Sequence, residues 1–358
     1  MAMPTNTFAT YEAIGNREDL SDVIYRIDPT DTPFMTGIEK ATAVNHEWQT
    51  QALAAVDSTN AQLEGDDAAT TVVTPTVRLG NICQISYKVP RVTGTQRAVE
   101  HAGRDDELAY QEMLKGLELK RDMEAILVGT NQAKVTGNDT TARKSASVLS
   151  WIKSNTSKGA GGADPSAADG TGTRTDGTQR AFTEANLKTV LQSIWNAGGK
   201  PDTIMTGGFN KQVFSTFTGR ATQIEDTKGR KIVAAVDVYE SDFGTLKIVP
   251  NRFQRARDVL VLQMEMWAIA YLNGRRMVSI PLARTGDSER RQMLSEYALV
   301  ARNEKSSGRR VRSDHELGRL LVNGIRAQIY ALLNGQRVLN YDRSSKEWTF
   351  SLKLVRIY

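Results

Sequence analysis

Cysteine and histidine are both scarce in this chain. Cys83 is its one cysteine among 358 residues, which excludes an intrachain disulfide and a zinc site built on a cysteine pair. The three histidines, His46, His101 and His315, lie far apart and form neither His-x-x-x-His nor His-Glu-x-x-His. The sequence therefore indicates no metal centre and no catalytic triad, and it is typical of synthesis in a reducing cytoplasm.

Long apolar runs are also missing. The longest, residues 259–272, is interrupted by Gln263 and Glu265 and is shorter than the roughly 18 residues that suggest a membrane-spanning helix. The N-terminus has neither the basic segment nor the apolar segment of a secretory signal. We therefore expect no membrane partner.

Signatures of enzymatic chemistry are equally sparse. The glycine-rich stretches at 159–162 and 207–211 do not match the GxxxxGK[ST] phosphate loop. The carboxylates of residues 105–107 suit the positive end of a following helix, whereas those of residues 64–67 lie in a polar stretch without rigid support. We predict that the chain is not an enzyme and has no cofactor.

The composition is that of a folded protein, with 40% apolar and 24% charged residues. The formal net charge of +5 is compatible with contact with a polyanion. Plain solubility is the simpler explanation of so small a charge.

The strongest local pattern is a long helix over residues 104–129. This segment has no proline, has one interior glycine and is rich in straight-chain residues. The acidic residues after Arg104 favour its first turn, and Gly129 is placed for a left-handed C-terminal cap. Apolar residues at helical spacing predict one buried stripe, formed by Ala109, Tyr110, Met113, Leu114, Leu117, Met123, Ile126 and Leu127.

Residues 46–92 predict a long two-stranded hairpin. Val72-Val73 and residues 82–89 have strand character, and the second segment alternates polar and apolar side chains, with Cys83 on the apolar side. The stretch that separates His46 from Val72 is soft and polar. Because an exposed strand pair is rarely stable alone, we expect this hairpin to find its partners on a neighbour.

The remaining sequence indicates an α+β protein. An insertion rich in glycine, serine, threonine and aspartate at 137–180 is followed by a helix, a strand and a helix over 183–217, and then by a series of strands up to residue 300. Residues 309–358 predict a self-contained appendage with a helix and a strand pair that contains Trp348.

Four stretches resemble one known family. They are residues 17–34 (REDLSDVIYRIDPTDTPF), 61–67 (AQLEGDD), 207–211 (GGFNK) and 286–294 (GDSERRQML). With the order of arm, hairpin, long helix and α+β domain, they resemble the major capsid proteins of tailed bacteriophages, which have the Hong Kong 97-type fold. The resemblance covers roughly residues 8–307.

The resemblance implies an α+β, Hong Kong 97-like capsid fold. Its parts would be an N-terminal arm (1–45), an extended β-hairpin loop (46–92), a peripheral domain with the spine helix and the insertion (93–182), an axial domain (183–285), a return strand of the peripheral domain (286–308) and a C-terminal extension (309–358). Because family members end near residue 308, a chain stopped there is expected to fold. The extension is expected to reinforce the shell, and a position facing the DNA is the alternative.

The implied function is that of a virion capsid subunit made in the host cytoplasm. Many copies would form the hexamers and pentamers of an icosahedral shell around double-stranded DNA, which they would contact without sequence specificity. The other expected partners are a scaffolding protein, a portal and a cement or decoration protein. The alternative, favoured only by the basic charge, is a phage-associated nucleic-acid-binding or enzymatic protein.

The candidate contacts between subunits combine an acidic loop with a basic segment. They are Leu63, Glu64, Asp66, Asp67, Arg252, Arg255 and Arg257. Arginines at these positions and at 309, 310 and 312 suit carboxylate or phosphate partners, and solvated surface is an equally good explanation. No lysine lies between Lys40 and Lys88, so the lysine–asparagine cross-link of the family's namesake is not expected.

Overall fold

The chain folds as two compact α+β units. The computed structural model describes residues 29–67, 70–100, 105–217, 237–311, 338–342 and 347–351. Unit 1 combines Met1–Ser147 with Ala268–Val300, and unit 2 combines Val148–Trp267 with Ala301–Tyr358. The insertion predicted at 137–180 is divided between the two units, and its residues from Val148 onward belong to unit 2. No helix of the described residues is long and apolar enough to cross a membrane.

The elements follow each other in mixed order. The helices are α1 (Gly94–Ala98), α2 (Glu107–Gly129), α3 (Val148–Trp151), α4 (Glu184–Asn196) and α5 (Gly208–Phe214). The strands are β1 (Ile38–Ala41), β2 (Asn45–Thr50), β3 (Val77–Ile82), β4 (Gln84–Lys88), β5 (Arg91–Thr93), β6 (Thr156–Ser157), β7 (Thr203–Thr206), β8 (Val238–Ser241), β9 (Gly244–Pro250), β10 (Asp258–Leu262), β11 (Trp267–Leu272), β12 (Val278–Pro281), β13 (Ser288–Ala301), β14 (Gly308–Val311), β15 (Val338–Asp342) and β16 (Glu347–Ser351).

Strand β13 organises unit 1. It is 14 residues long and pairs with β11, β12, β4 and β5 in a six-stranded sheet that β1 extends. Because β4 and β12 both pair with Met293 and Leu294, they lie on opposite edges of β13. Cys83 is buried in the small apolar core of this sheet. Burial, with the nearby Glu296 charge, raises the pKa of its thiol to about 11.

The long helix α2 begins and ends close to the predicted limits. The Asp106 side chain caps it by accepting a hydrogen bond of 2.9 Å from the Leu108 amide. The predicted left-handed cap at Gly129 is wrong, because Gly129 is the last helical residue. Thr130 ends the helix in an extended conformation, and its hydroxyl donates to the Ile126 carbonyl at 2.7 Å.

The buried face of α2 differs from the predicted stripe. Met123 and Leu127 are buried as predicted, but Met113 is 52% exposed and Ala109 is exposed. The buried set instead includes Leu108 and Leu119. The helix carries apolar residues on more than one side, and periodicity alone does not decide which side packs on the sheet.

Strands β2 and β3 form an isolated two-stranded ribbon, with Asn45 opposite Ile82 and Thr50 opposite Val77. A hairpin was predicted here, but its strands were placed wrongly. Val72-Val73 belongs to no strand, and residues 82–89 divide at Cys83 into the end of β3 and the whole of β4. The strand signal of β2 is weak because the segment is polar; pairing with β3 orders it.

Unit 2 contains a six-stranded sheet in the order β6-β14-β10-β7-β9-β8. Helices α4 and α5 contribute Leu187, Leu191, Ile194 and Phe214 to an apolar core that also takes side chains from β7, β9 and β10. Thr183 stands at the N-cap of α4 but makes no side-chain cap bond. Gly198 follows the C-terminal end of α4 in a left-handed conformation, with φ of 84°, as predicted.

The insertion is more ordered than its composition suggests. Val148, Leu149, Trp151 and Ile152 are completely buried. Beyond them, Ala163 and Thr175 form an antiparallel bridge. Polar, glycine-rich sequence therefore encloses an apolar anchor, and tertiary contacts hold it.

The C-terminal boundary moves by a few residues. Strand β14 lies between β6 and β10, so residues 309–311 belong to the sheet of unit 2 and not to an appendage. The predicted strand pair is present as β15 and β16, with Tyr341 opposite Trp348. The helices predicted in the N-terminal arm and in the appendage lie outside the described residues.

Truncation tests this boundary. A chain that ends after Gly308 loses most of an inner strand and the buried Arg309, so we expect the unassembled subunit to melt at least about 5 °C below the full chain. A chain that ends after Val311 keeps β14 and should melt within about 2 °C of the full chain. Calorimetry of the three purified subunits decides, and equal melting of the two truncated chains would contradict the assignment of β14.

Candidate functional site

Unit 1 carries a long exposed segment between β2 and β3. Every described residue from 51 to 78 is exposed. Apart from Val77, which begins β3 and is 58% exposed, its large apolar side chains keep 80 to 98% of their surface open. They are Leu53, Val56, Leu63, Val72 and Val73. Monomeric proteins rarely leave such a series of aliphatic side chains uncovered, so this segment has the character of a contact surface.

The predicted acidic contact residues lie on this segment, in one turn. The Asp66 amide donates to the Leu63 carbonyl at 3.3 Å, and Gly65 takes a φ of 83° that favours glycine. Glu64, Asp66 and Asp67 are exposed and form no ion pair with any described residue. The turn therefore offers carboxylates, next to Leu63, to a positively charged partner.

The predicted basic contact residues lie in unit 2 and are mostly engaged within the chain. Arg255 donates to Asp176, and Arg257 approaches the same carboxylate at 3.2 Å. Arg252 is exposed and makes no ion pair among the described residues. Of the three arginines, Arg252 retains the surface that a contact between subunits needs.

Arg255 and Arg257 belong to a larger ionic cluster that the sequence did not reveal. It consists of Arg174, Arg255, Arg257, Arg309, Asp164, Asp176 and Asp258. Arg309 and Asp258 form an ion pair with side chains 0% and 1% exposed. Arg309, which was considered for an external phosphate or carboxylate, therefore has an internal partner.

Burial governs the electrostatics of the ionic cluster. It lowers the pKa of Arg174 to about 10, aided by the Arg309 charge and opposed by the cluster's carboxylates. Burial raises the pKa of Asp176, but hydrogen bonding to Arg255 and the charges of Arg255, Arg257 and Arg309 outweigh it, so that pKa is lowered overall. The cluster joins the insertion, through Asp176 and Arg174, to β10 and β14.

A second apolar surface of unit 1 lies on the sheet, and we name it the Tyr87 face. It is formed by the exposed Ile85 and Tyr87, with the half-buried Val278 and the buried Leu294 beside them. Tyr87 pairs with Leu294, which pairs with Val278, so these side chains share one face. Tyr87 is 57% exposed and Ile85 is 41% exposed. The opposite face of β4 turns toward α2, where Lys88 lies 2.7 Å from Asp122. The alternation of polar and apolar residues along β4 predicted that it has two different faces, but it did not predict which face packs against α2.

The Tyr87 face has positive charge beside it. Glu296, directly opposite Ile85, is buried and lies 2.6 Å from Arg275 and 3.6 Å from Arg143. One carboxylate therefore faces two guanidinium groups, and the local balance is positive. Apolar area bordered by positive charge complements the exposed segment, which is apolar and acidic.

A polar cleft of about 480 Å³ lies beside α1 and the start of β13. Arg284 lies 3.0 Å from Glu289, and Arg97 pairs with Glu289 and lies 3.6 Å from Asp106. These ion pairs engage four of the charged side chains that line the cleft. Among the described residues, no group of three or more histidine, cysteine, aspartate or glutamate side chains is arranged to hold a metal ion.

The ionic cluster predicts an acid-sensitive contribution to stability. Because the pKa of Asp176 is lowered in the folded chain, its contribution is present above the unfolded value of about 3.9 and is lost as the pH falls through the folded value. Asp176→Asn should reduce the free energy of unfolding by roughly 2 kcal/mol at pH 7, and the difference from the native chain should shrink below about pH 4. Urea unfolding across this pH range measures both, with the exposed Asp139→Asn as control. A pH-independent difference would contradict the role of the carboxylate charge.

Comparisons with known proteins agree with the motifs. A model of the SU10 major capsid protein family matches residues 3–311. The major capsid protein of Escherichia phage Phieco32 is 30% identical over 346 residues, which cover 86% of this chain and 97% of the relative.

Solved phage chains share the fold at much lower identity. A chain of the cyanophage A-1(L) capsid asymmetric unit has a TM-score of 0.57 and 12% identity, covering 86% of this chain and 98% of its own length. A chain from Gordonia phage Cozz has a TM-score of 0.56 and 9% identity, covering 87% and 98%. The family match and the curated relative support the capsid function over the nucleic-acid-binding or enzymatic alternative. The chain therefore belongs to the SU10 major capsid protein family and is a major capsid protein of a tailed phage.

Proposed function

We propose that copies of this chain form the hexamers and pentamers of an icosahedral shell, and that residues 51–78 of each copy lie on a neighbouring copy. The observation that carries this proposal is the uncovered apolar surface of that segment. In terms of the Hong Kong 97-type fold, the ribbon with this segment is the extended loop, α2 is the spine helix, unit 1 is the peripheral domain and unit 2 is the axial domain.

Burial of the segment supplies the driving force. Full burial of a valine or leucine side chain is worth about 1.5–3 kcal/mol, so the five exposed aliphatic side chains offer on the order of 10 kcal/mol before the cost of ordering the loop. One such contact is moderate, but a closed shell repeats it at every subunit.

The Tyr87 face of a neighbouring copy is the surface that receives the segment. The ribbon has six residue pairs and so extends about 20 Å from its start beside β4, which places the segment at that distance from the start of β4. Leu63 and the other aliphatic side chains of the segment can pack against the exposed Ile85 and Tyr87 of the neighbouring copy. The carboxylates of the turn, Glu64 first, match the positive charge of Arg143 and Arg275.

Arg252 remains a candidate for a second contact between copies, because it is exposed. Arg255 and Arg257 form ion pairs within the ionic cluster, so only the exposed parts of their side chains would be available for a contact between copies.

The interior of the shell meets double-stranded DNA without reading its sequence. The net charge of +5 per chain supports loose neutralisation of phosphates that weakens with salt. Helix α2 is mixed in sign, with Lys115 paired to Glu118 at 2.7 Å, so it offers little surplus positive charge. Assembly also involves a scaffolding protein and a portal, and a decoration protein or the residues after Val311 reinforce the shell.

Substitutions in the exposed segment separate folding from assembly. Leu53→Ser with Val56→Ser removes apolar surface that the subunit does not bury, so the melting temperature of the unassembled chain should stay within about 2 °C. The yield of shells from this double variant should fall at least tenfold, and the yield from Tyr87→Ser should fall by a similar factor. Electron microscopy and sedimentation measure assembly, and Thr71→Ser with Thr74→Ser is the matched control on the same segment. Normal shells from both apolar variants would contradict the proposed contact.

Covalent cross-linking is not expected to hold the shell together. The segment has no lysine between Lys40 and Lys88, and Lys88 pairs with Asp122 of its own chain. Denaturing electrophoresis of boiled mature particles should give one band at the 39.5 kDa monomer mass. A ladder of oligomers would show that another residue pair provides the cross-link.

A further inference from the structure

One buried polar side chain of the ribbon, that of Asn81, hydrogen-bonds to unit 1, in addition to the packing of Trp48 against the sheet core. This residue is 0% exposed and lies in β3, one residue before the strand ends. Its side-chain amide donates to the Leu299 carbonyl at 2.8 Å and to the Ser145 hydroxyl at 3.1 Å. Its side-chain carbonyl accepts from the Ala146 amide at 2.9 Å. Asn81 thus joins the ribbon to β13 and to the chain that follows α2.

Neighbouring polar groups make this attachment rigid. The Ser145 hydroxyl also accepts from the Leu299 amide at 3.1 Å, so β13 and residue 145 are already joined where Asn81 meets them. The Gln132 side chain donates to Gln84 at 2.8 Å and to the Ser145 carbonyl at 2.7 Å. These bonds hold the acceptors in place, which limits the directions that Asn81 can take.

The adjoining residue is fixed as well. The Lys134 ammonium donates to the Gly80 carbonyl at 3.0 Å. A side-chain carbon at Gly80 would lie 2.7 Å from Glu47 Cγ and 3.1 Å from the His46 carbonyl, so the two strands approach closely here. Two consecutive residues of β3 are therefore held by groups outside the ribbon.

We propose that Asn81 is a positioning residue that sets the direction in which the ribbon leaves unit 1. Small rotations at this point become large displacements of the exposed segment, because the segment lies about 20 Å or more along the ribbon. Asn81 thereby controls the curvature of the assembled shell. This inference rests on the proposed contact between residues 51–78 and a neighbouring copy.

Asn81→Ala tests this role with two readouts. Hydrogen exchange of the unassembled subunit should become about tenfold faster at the ribbon amides of residues 45–50 and 77–82, because their attachment to the unit is weakened. Subunits should still associate, because residues 51–78 are unchanged, but electron microscopy should show particles of mixed size or open sheets. Asn45→Ala is the matched control, since Asn45 lies at the same end of the ribbon and, among the described residues, its side chain hydrogen-bonds to Glu47 of the ribbon itself.

Lys134→Met keeps the test decisive if Asn81→Ala does not fold. It removes one external bond of the ribbon and should produce the same defects to a smaller degree. Uniform shells from a folded variant would overturn the inference while leaving the contact proposal intact. Failure of the contact proposal looks different, because Leu53→Ser with Val56→Ser would then assemble normally.

Discussion

The constraint on which this protein depends is apolar surface that one chain does not cover. Exposure of aliphatic side chains such as Leu53 and Val72 to water is unfavourable, and burial against a partner surface would lower their free energy. Along the segment, polar and acidic residues separate these aliphatic side chains. In the proposed contact, assembly is favoured by residues that the isolated subunit leaves exposed.

An exposed segment is useful for assembly only if its base is rigid. Unit 1 provides that rigidity by pairing β13 on both edges and by packing α2 against one face of the sheet. Among the described strands the ribbon has no sheet neighbour, and Asn81 and Lys134 connect it to this framework by hydrogen bonds. Buried polar contacts are directional, and direction is what a repeated contact between identical copies requires.

Unit 2 combines an apolar core with a buried ionic cluster. Leu187, Leu191 and Ile194 pack with strand residues in the ordinary way. Arg309 and Asp258 are fully buried, and the desolvation of both charges offsets much of their attraction. What the cluster adds is a defined position for the glycine-rich insertion, whose own composition provides little apolar surface. Removal of either partner would leave a buried charge unpaired, which is why β14 belongs to the unit.

Local sequence determined the parts of this protein that depend on neighbours along the chain. The length of α2, the acidic residues at its start, the turn at Gly198 and most strands of unit 2 follow from propensity, periodicity and capping. The motifs at 17–34 and 207–211 indicated the family. Tertiary structure decided which surfaces meet. It placed polar β2 opposite β3, turned Met113 outward, drew Arg255 and Arg257 into the ionic cluster with Arg309, and left Ile85 and Tyr87 uncovered. Each of these outcomes depends on residues distant in sequence, and the pattern of one segment carries no information about what packs against it.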